Sequence, residues 1–140
     1  MKLPQDYTDM FGWPEMAETV AKVYHQLPRI EKEQASILAK NFGEAGAIDF
    51  FGKKLGLPAA ISGHVSYYIW GPRGATGDVV ITVGKDFSTA SLARVFEEVE
   101  LVAVFKHDYA IFYETNVPIH LCRKLRIPME EFWPRLKAFD

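Results

Sequence analysis

At 140 residues and 15.9 kDa the chain has the size of one domain, and a 49% hydrophobic share with 10 Phe, 6 Tyr and 3 Trp excludes a disordered protein. Sixteen basic against eighteen acidic residues give a formal charge of -2, without the basic excess of a chain that lives on nucleic acid. The single cysteine, Cys122, excludes an intrachain disulfide, and no apolar stretch nears the roughly 20 residues of a membrane span.

The start, Met1 to Asp6, has no apolar run after its lone Lys2 and does not read as a signal peptide. Phe11 to Leu27 reads as a helix. Pro14 suits its first turn, Glu15 and Glu18 lie near its positive end, and Met16, Val20, Val23, Tyr24 and Leu27 recur at helical spacing. Pro28 ends it, and the charged run Arg29 to Glu33 reads as a solvated linker. Ala35 to Ala39 fits a strand buried on both faces. A turn, Asn41-Phe42-Gly43-Glu44-Ala45-Gly46, leads from it into a helical segment from Ala47 to Leu55 that Gly56 and Pro58 close.

Ala59 to Gly63 is a short apolar piece that fits a second strand, and His64 to Trp70 is too aromatic to assign. Gly71-Pro72-Arg73-Gly74 is a loop by its turn residues. Val79 to Val83 is β-branched throughout, a strand ended by Gly84. Ser88 or Thr89 can cap a helix reaching about Glu98, with Leu92, Val95 and Phe96 turned inward. Val99 to Phe105, Ala110 to Tyr113 and Ile119 to Cys122 look like strands. Pro128 to Phe139 reads as an amphipathic helix that Pro134 kinks or ends early. Strands alternating with helices imply a single α/β domain spanning 1–140, its mixed sheet of about five strands flanked by helices, with an antiparallel edge from the strands near the C-terminus.

Two stretches are candidate ligand sites. The turn Asn41 to Gly46 follows a strand and opens a helix, the place where α/β sheets hold ligands, and Gly43 and Gly46 would let a ligand approach the backbone. It lacks the three-glycine dinucleotide fingerprint and the P-loop lysine, and Glu44 opposes a phosphate there. The other reading is that the glycines permit close strand–helix packing. The second stretch, Ser62 to Gly74, places His64, Tyr67, Tyr68, Trp70 and Arg73 within a glycine-punctuated run. Its rings offer a stacking surface for a sugar, or they form an aromatic core segment.

His25, His64, His107 and His120 are scattered without metal-ligand spacing. Cys122 lies in an apolar strand, as a buried thiol does. Glu97, Glu98 and Glu100 read as a solvated face, and Asp6, Asp9 and Asp49 form no catalytic pattern. The residues themselves imply no catalytic set, no metal and no cofactor.

Taken together, Leu3-Pro4-Gln5-Asp6-Tyr7-Thr8-Asp9-Met10-Phe11-Gly12-Trp13, then Asn41 to Gly52, then Leu57-Pro58-Ala59-Ala60-Ile61-Ser62-Gly63-His64 through Trp70-Gly71-Pro72-Arg73-Gly74, resemble the C-terminal soluble region of bacterial membrane glycosyltransferases of family 39. These are relatives of the dolichyl-phosphate-mannose–protein mannosyltransferases and of the transferases that add aminoarabinose to lipid A. The resemblance covers essentially the whole chain. It implies an accessory domain on the periplasmic or extracytoplasmic face of the bacterial membrane. Its partner would be a transmembrane body, which takes sugar from a polyprenyl-phosphate donor and holds the acidic catalytic residues in a loop that this chain does not match. Asn41, Gly43, Glu44, Gly46, His64, Tyr67, Trp70 and Arg73 then become candidates for touching a glycan, a lipid-linked sugar or that body, in acceptor recognition or gating. The alternative from the residues alone is a free-standing α/β sugar-binding domain or small enzyme, with Glu44, His64 and Arg73 around one pocket.

Overall fold

In the computed structural model, residues 13–40, 42–63, 71–106 and 116–138 are described. The strands are β1 (Ala35–Ala39), β2 (Ala60–Ser62), β3 (Val79–Val83), β4 (Phe96–Lys106) and β5 (Asn116–Leu125). They form one mixed sheet of five in the order β2-β1-β3-β5-β4. β1 pairs in parallel with β2 and β3, and β5 runs antiparallel to both β3 and β4. The expected α/β domain with an antiparallel edge is therefore present.

The strand sequences account for this order. A strand flanked on both sides and covered on both faces has no solvent-facing side, so β1 and β3 are continuous apolar runs rather than alternating ones. Ile37 and Ala39 of β1 pack with Ile81, Val83 and Ile119 on one face. Leu38 packs with Val80 and Cys122 on the other.

Helix α1 (Trp13–His25) covers the first face with Met16, Val20 and Val23, and Leu27 beyond its end joins them. The helical spacing read from the sequence thus marks the buried face, while the expected start at Phe11 lies outside the described residues. The run from Arg29 is not a linker. It forms a short helix, α2 (Arg29–Gln34), with no buried residue. Its helical form rests on contacts that the sequence does not display. Glu31 takes two hydrogen bonds from Arg123 of β5, at 2.6 and 3.0 Å, and Lys32 lies over the Tyr24 ring at 5.7 Å.

Helix α3 (Phe42–Gly52) also departs from expectation, because it begins inside the segment read as a turn and ends in a 3-10 turn over Lys53–Leu55. Glu44 in its first turn favours the helix start, and Ala45, Ala47 and Ile48 bury against the first face. The small side chains bring the helix close to the sheet, which outweighs the modest propensity cost of glycine in a helix. Asp49, which carries no catalytic pattern in the sequence, accepts a 2.7 Å bond from the Ala60 N–H and so ties α3 to the edge strand β2.

The second face is covered by α4 (Thr89–Leu92) and α5 (Met129–Phe132), which continues as a 3-10 turn over Trp133–Ala138. Ser88 does cap α4, in a reciprocal capping box with Ser91. The helix then stops at Leu92 rather than near Glu98. Phe96 begins β4 instead, because pairing with β5 satisfies the backbone and lets Phe96 meet Phe132 edge-on at 6.0 Å. At Pro134 the missing N–H denies the helix a bond, in keeping with the tightening of α5 at Trp133.

β4 is the other edge. Glu97, Glu98 and Glu100 and a register shift between Leu101 and Ala103 discourage pairing with a further strand. The strand expected over Ala110 to Tyr113 lies outside the described residues.

Phe96 is fully buried, whereas Phe50 on the outer side of α3 is 71% exposed. Phe96→Ala is expected to lower the unfolding free energy by about 3–5 kcal/mol, from lost transfer and a residual cavity. Phe50→Ala should stay within about 0.5 kcal/mol. Urea unfolding of both variants checks this, and equal costs would contradict the packing described.

Candidate functional site

The parallel strands set the geometry of the site. After β1 the chain leaves into α3 on the first face, and after β3 it leaves through Phe87 into α4 on the second. Two adjacent parallel strands whose continuations part to opposite faces leave a crevice beyond their carboxyl ends, the usual ligand position in open α/β sheets.

Lys40, the residue after β1, donates its N–H to the Val83 carbonyl at 2.9 Å and so extends the β1–β3 ladder by one step. Its ammonium lies 5.8 Å from the centre of the Phe87 ring. Ser62, at the end of β2, sends its hydroxyl toward the Lys40 carbonyl at 3.5 Å, a long and weak bond. Gly84 follows β3 at φ +153, where a side chain would overlap the Lys40 Cβ and stand 3.3 Å from Oε1 of Glu44. Glu44 itself is 2% exposed. Lys40, Glu44 and Gly84 therefore pack closely at the ends of β1 and β3, with Ser62 reaching the Lys40 carbonyl from β2. Glu44 and Ser62 are buried there and Lys40 is half-buried, so the arrangement brings a cation beside a buried carboxylate at this end of the sheet.

The residues singled out from the sequence distribute as follows. Gly43, Glu44 and Gly46 all lie on α3 at this end of the sheet. A side chain at Gly46 would meet nothing within 4 Å, so close packing does not explain this glycine, and its helix surface is open. Arg73 is exposed, at φ 50, in the turn that precedes β3. Three residues after that turn the Gly77 carbonyl accepts the Leu125 N–H at the end of β5, so Arg73 belongs to the stretch that enters β3 and not to one that leaves it. Beside it lies a cleft of about 640 Å³ walled by Pro72, Thr76, Pro128, Met129, Trp133 and Pro134. Asn41, His64, Tyr67 and Trp70 lie outside the described residues.

Sequence reasoning passed over Lys40 and Gly84 as site residues. The available signal was a charged residue and a glycine directly after apolar strands, but only the parallel register of β1 with β3 brings them together.

Two other reactive groups serve the core. Burial pushes the Cys122 thiol up to about 12, with the Thr82 hydroxyl on the next strand pulling weakly the other way, so it is no nucleophile near neutral pH. His120 is 2% exposed and bonds Thr89 at the start of α4 through Nε2 at 2.8 Å. Its Nδ1 has no hydrogen-bond partner among the described residues. Burial holds its pKa below the ordinary value of 6.5.

Among the described residues no three His, Cys, Asp or Glu side chains gather as metal ligands, and no helix is long and apolar enough to cross a membrane. Comparison with protein-family models, with curated proteins and with solved structures finds no match.

Two glycines give opposite expectations. Gly46→Ala adds a methyl to open space in a helix interior and should stabilise by about 0.5–1 kcal/mol. Gly84→Ala forces a side chain against Lys40 and should destabilise by about 1–3 kcal/mol. Denaturant midpoints of the two variants check the pair, and a stable Gly84→Ala would contradict the close approach.

His120 sets a pH dependence. Its folded pKa lies below 6.5, so on acidification the unfolded chain takes the proton first. Its contribution is complete above about pH 6.5 and drains as the pH falls from there toward the folded value. The unfolding free energy of the wild type should therefore drop between pH 6.5 and 5 by more than that of His120→Gln. Parallel slopes for the two proteins would contradict this.

Proposed function

We propose that this chain is an accessory domain of a membrane glycosyltransferase that takes sugar from a polyprenyl-phosphate donor. It acts on the extracytoplasmic side in acceptor recognition or gating, and the crevice beyond β1, β2 and β3 is the surface it uses. One observation carries this reading. Two neighbouring stretches of the family resemblance, separated only by Lys53 to Gly56, lie together at the same end of the sheet. Residues 42–52 form the helix that follows β1, and residues 57–63 lead through β2, where Ser62 is the register partner of Ala39.

The chemistry at that end suits recognition. Lys40 brings an ammonium to that end, and the acidic Glu44 at the helix start counters the positive end that would attract a bare phosphate. Cys122 and His120 are committed to packing and to the Thr89 bond, and in the family resembled sugar transfer belongs to the membrane body.

The alternative, a free-standing sugar-binding domain or small enzyme with Glu44, His64 and Arg73 around one pocket, is less well supported. Glu44 follows the end of β1 while Arg73 precedes the start of β3, and those strands run parallel.

An antibody raised against the chain separates the two. In fractionated cells of the source organism, the proposal expects a band in the membrane fraction several times heavier than 15.9 kDa. A band of 15.9 kDa confined to the non-membrane fraction would overturn it and favour the free-standing alternative.

A further inference from the structure

We draw no further inference here: the strongest candidate, the cleft between the turn at Pro72–Thr76 and the start of α5, has at its wall a Trp133 that is only 7% exposed and so turns little ring surface toward it, and nothing in the structure shows what fills it.

Discussion

The position of β1 between two parallel neighbours is the constraint from which the rest of the molecule follows. A parallel strand between two parallel neighbours has no edge and no wet face, so both of its sides must be covered by later elements. Five apolar or small residues, Ala35 to Ala39, meet that demand. Parallel pairing also forces crossovers, since a tight turn can join only antiparallel strands. The chain therefore leaves β1 through α3 over one face and leaves β3 through α4 over the other. Each fully buried Ile, Leu or Phe in these layers contributes about 1.5–3 kcal/mol of transfer free energy. The two faces thereby become separate cores that share the sheet as a common wall.

The crevice is a consequence of that wiring. Once adjacent parallel strands send their chains to opposite faces, backbone ends and side chains remain uncovered between them. Here the space is set by Gly84, which lets Lys40 and Glu44 stand close to the end of β3. The antiparallel β5 supports the same region from the other side. Its Pro118 carbonyl accepts the Gly84 N–H at 3.2 Å, and its His120 holds the first residue of α4.

Much of this fold was legible in the sequence where local pattern and tertiary demand agreed. The β-branched run of β3 and the apolar run of β1 name doubly buried strands, and the spacing of Met16, Val20 and Val23 names the inner face of α1. Where the two disagreed, the tertiary demand prevailed. Gly43 and Gly46 read as turn residues, yet the helix includes them because Ala45, Ala47 and Ile48 must meet the sheet. Leu92, Val95 and Phe96 fit one helical face, yet Phe96 joins a strand because β5 supplies its partner. The charged segment that begins at Arg29 is helical through an ion pair to Arg123, ninety-two residues away. The site was half legible. The stretch around Glu44 is local and could be found, whereas Lys40 and Gly84 meet only through strand register, which no local spacing encodes.

The proposed role of the open helix surface and the crevice beyond β1, β2 and β3 is to serve sugar transfer by a membrane partner. Gly46→Ala tests it most directly, because the added methyl enters open space and its effect on function is not confounded by unfolding. The measurement is sugar transfer from a polyprenyl-phosphate donor in membranes carrying the full protein with Gly46→Ala, against Glu130→Ala as the control, since Glu130 lines the cleft beside the Pro72–Thr76 turn and not the crevice. Reduced transfer is expected for Gly46→Ala and wild-type transfer for Glu130→Ala. Wild-type transfer by Gly46→Ala, or an equal loss in both, would contradict it.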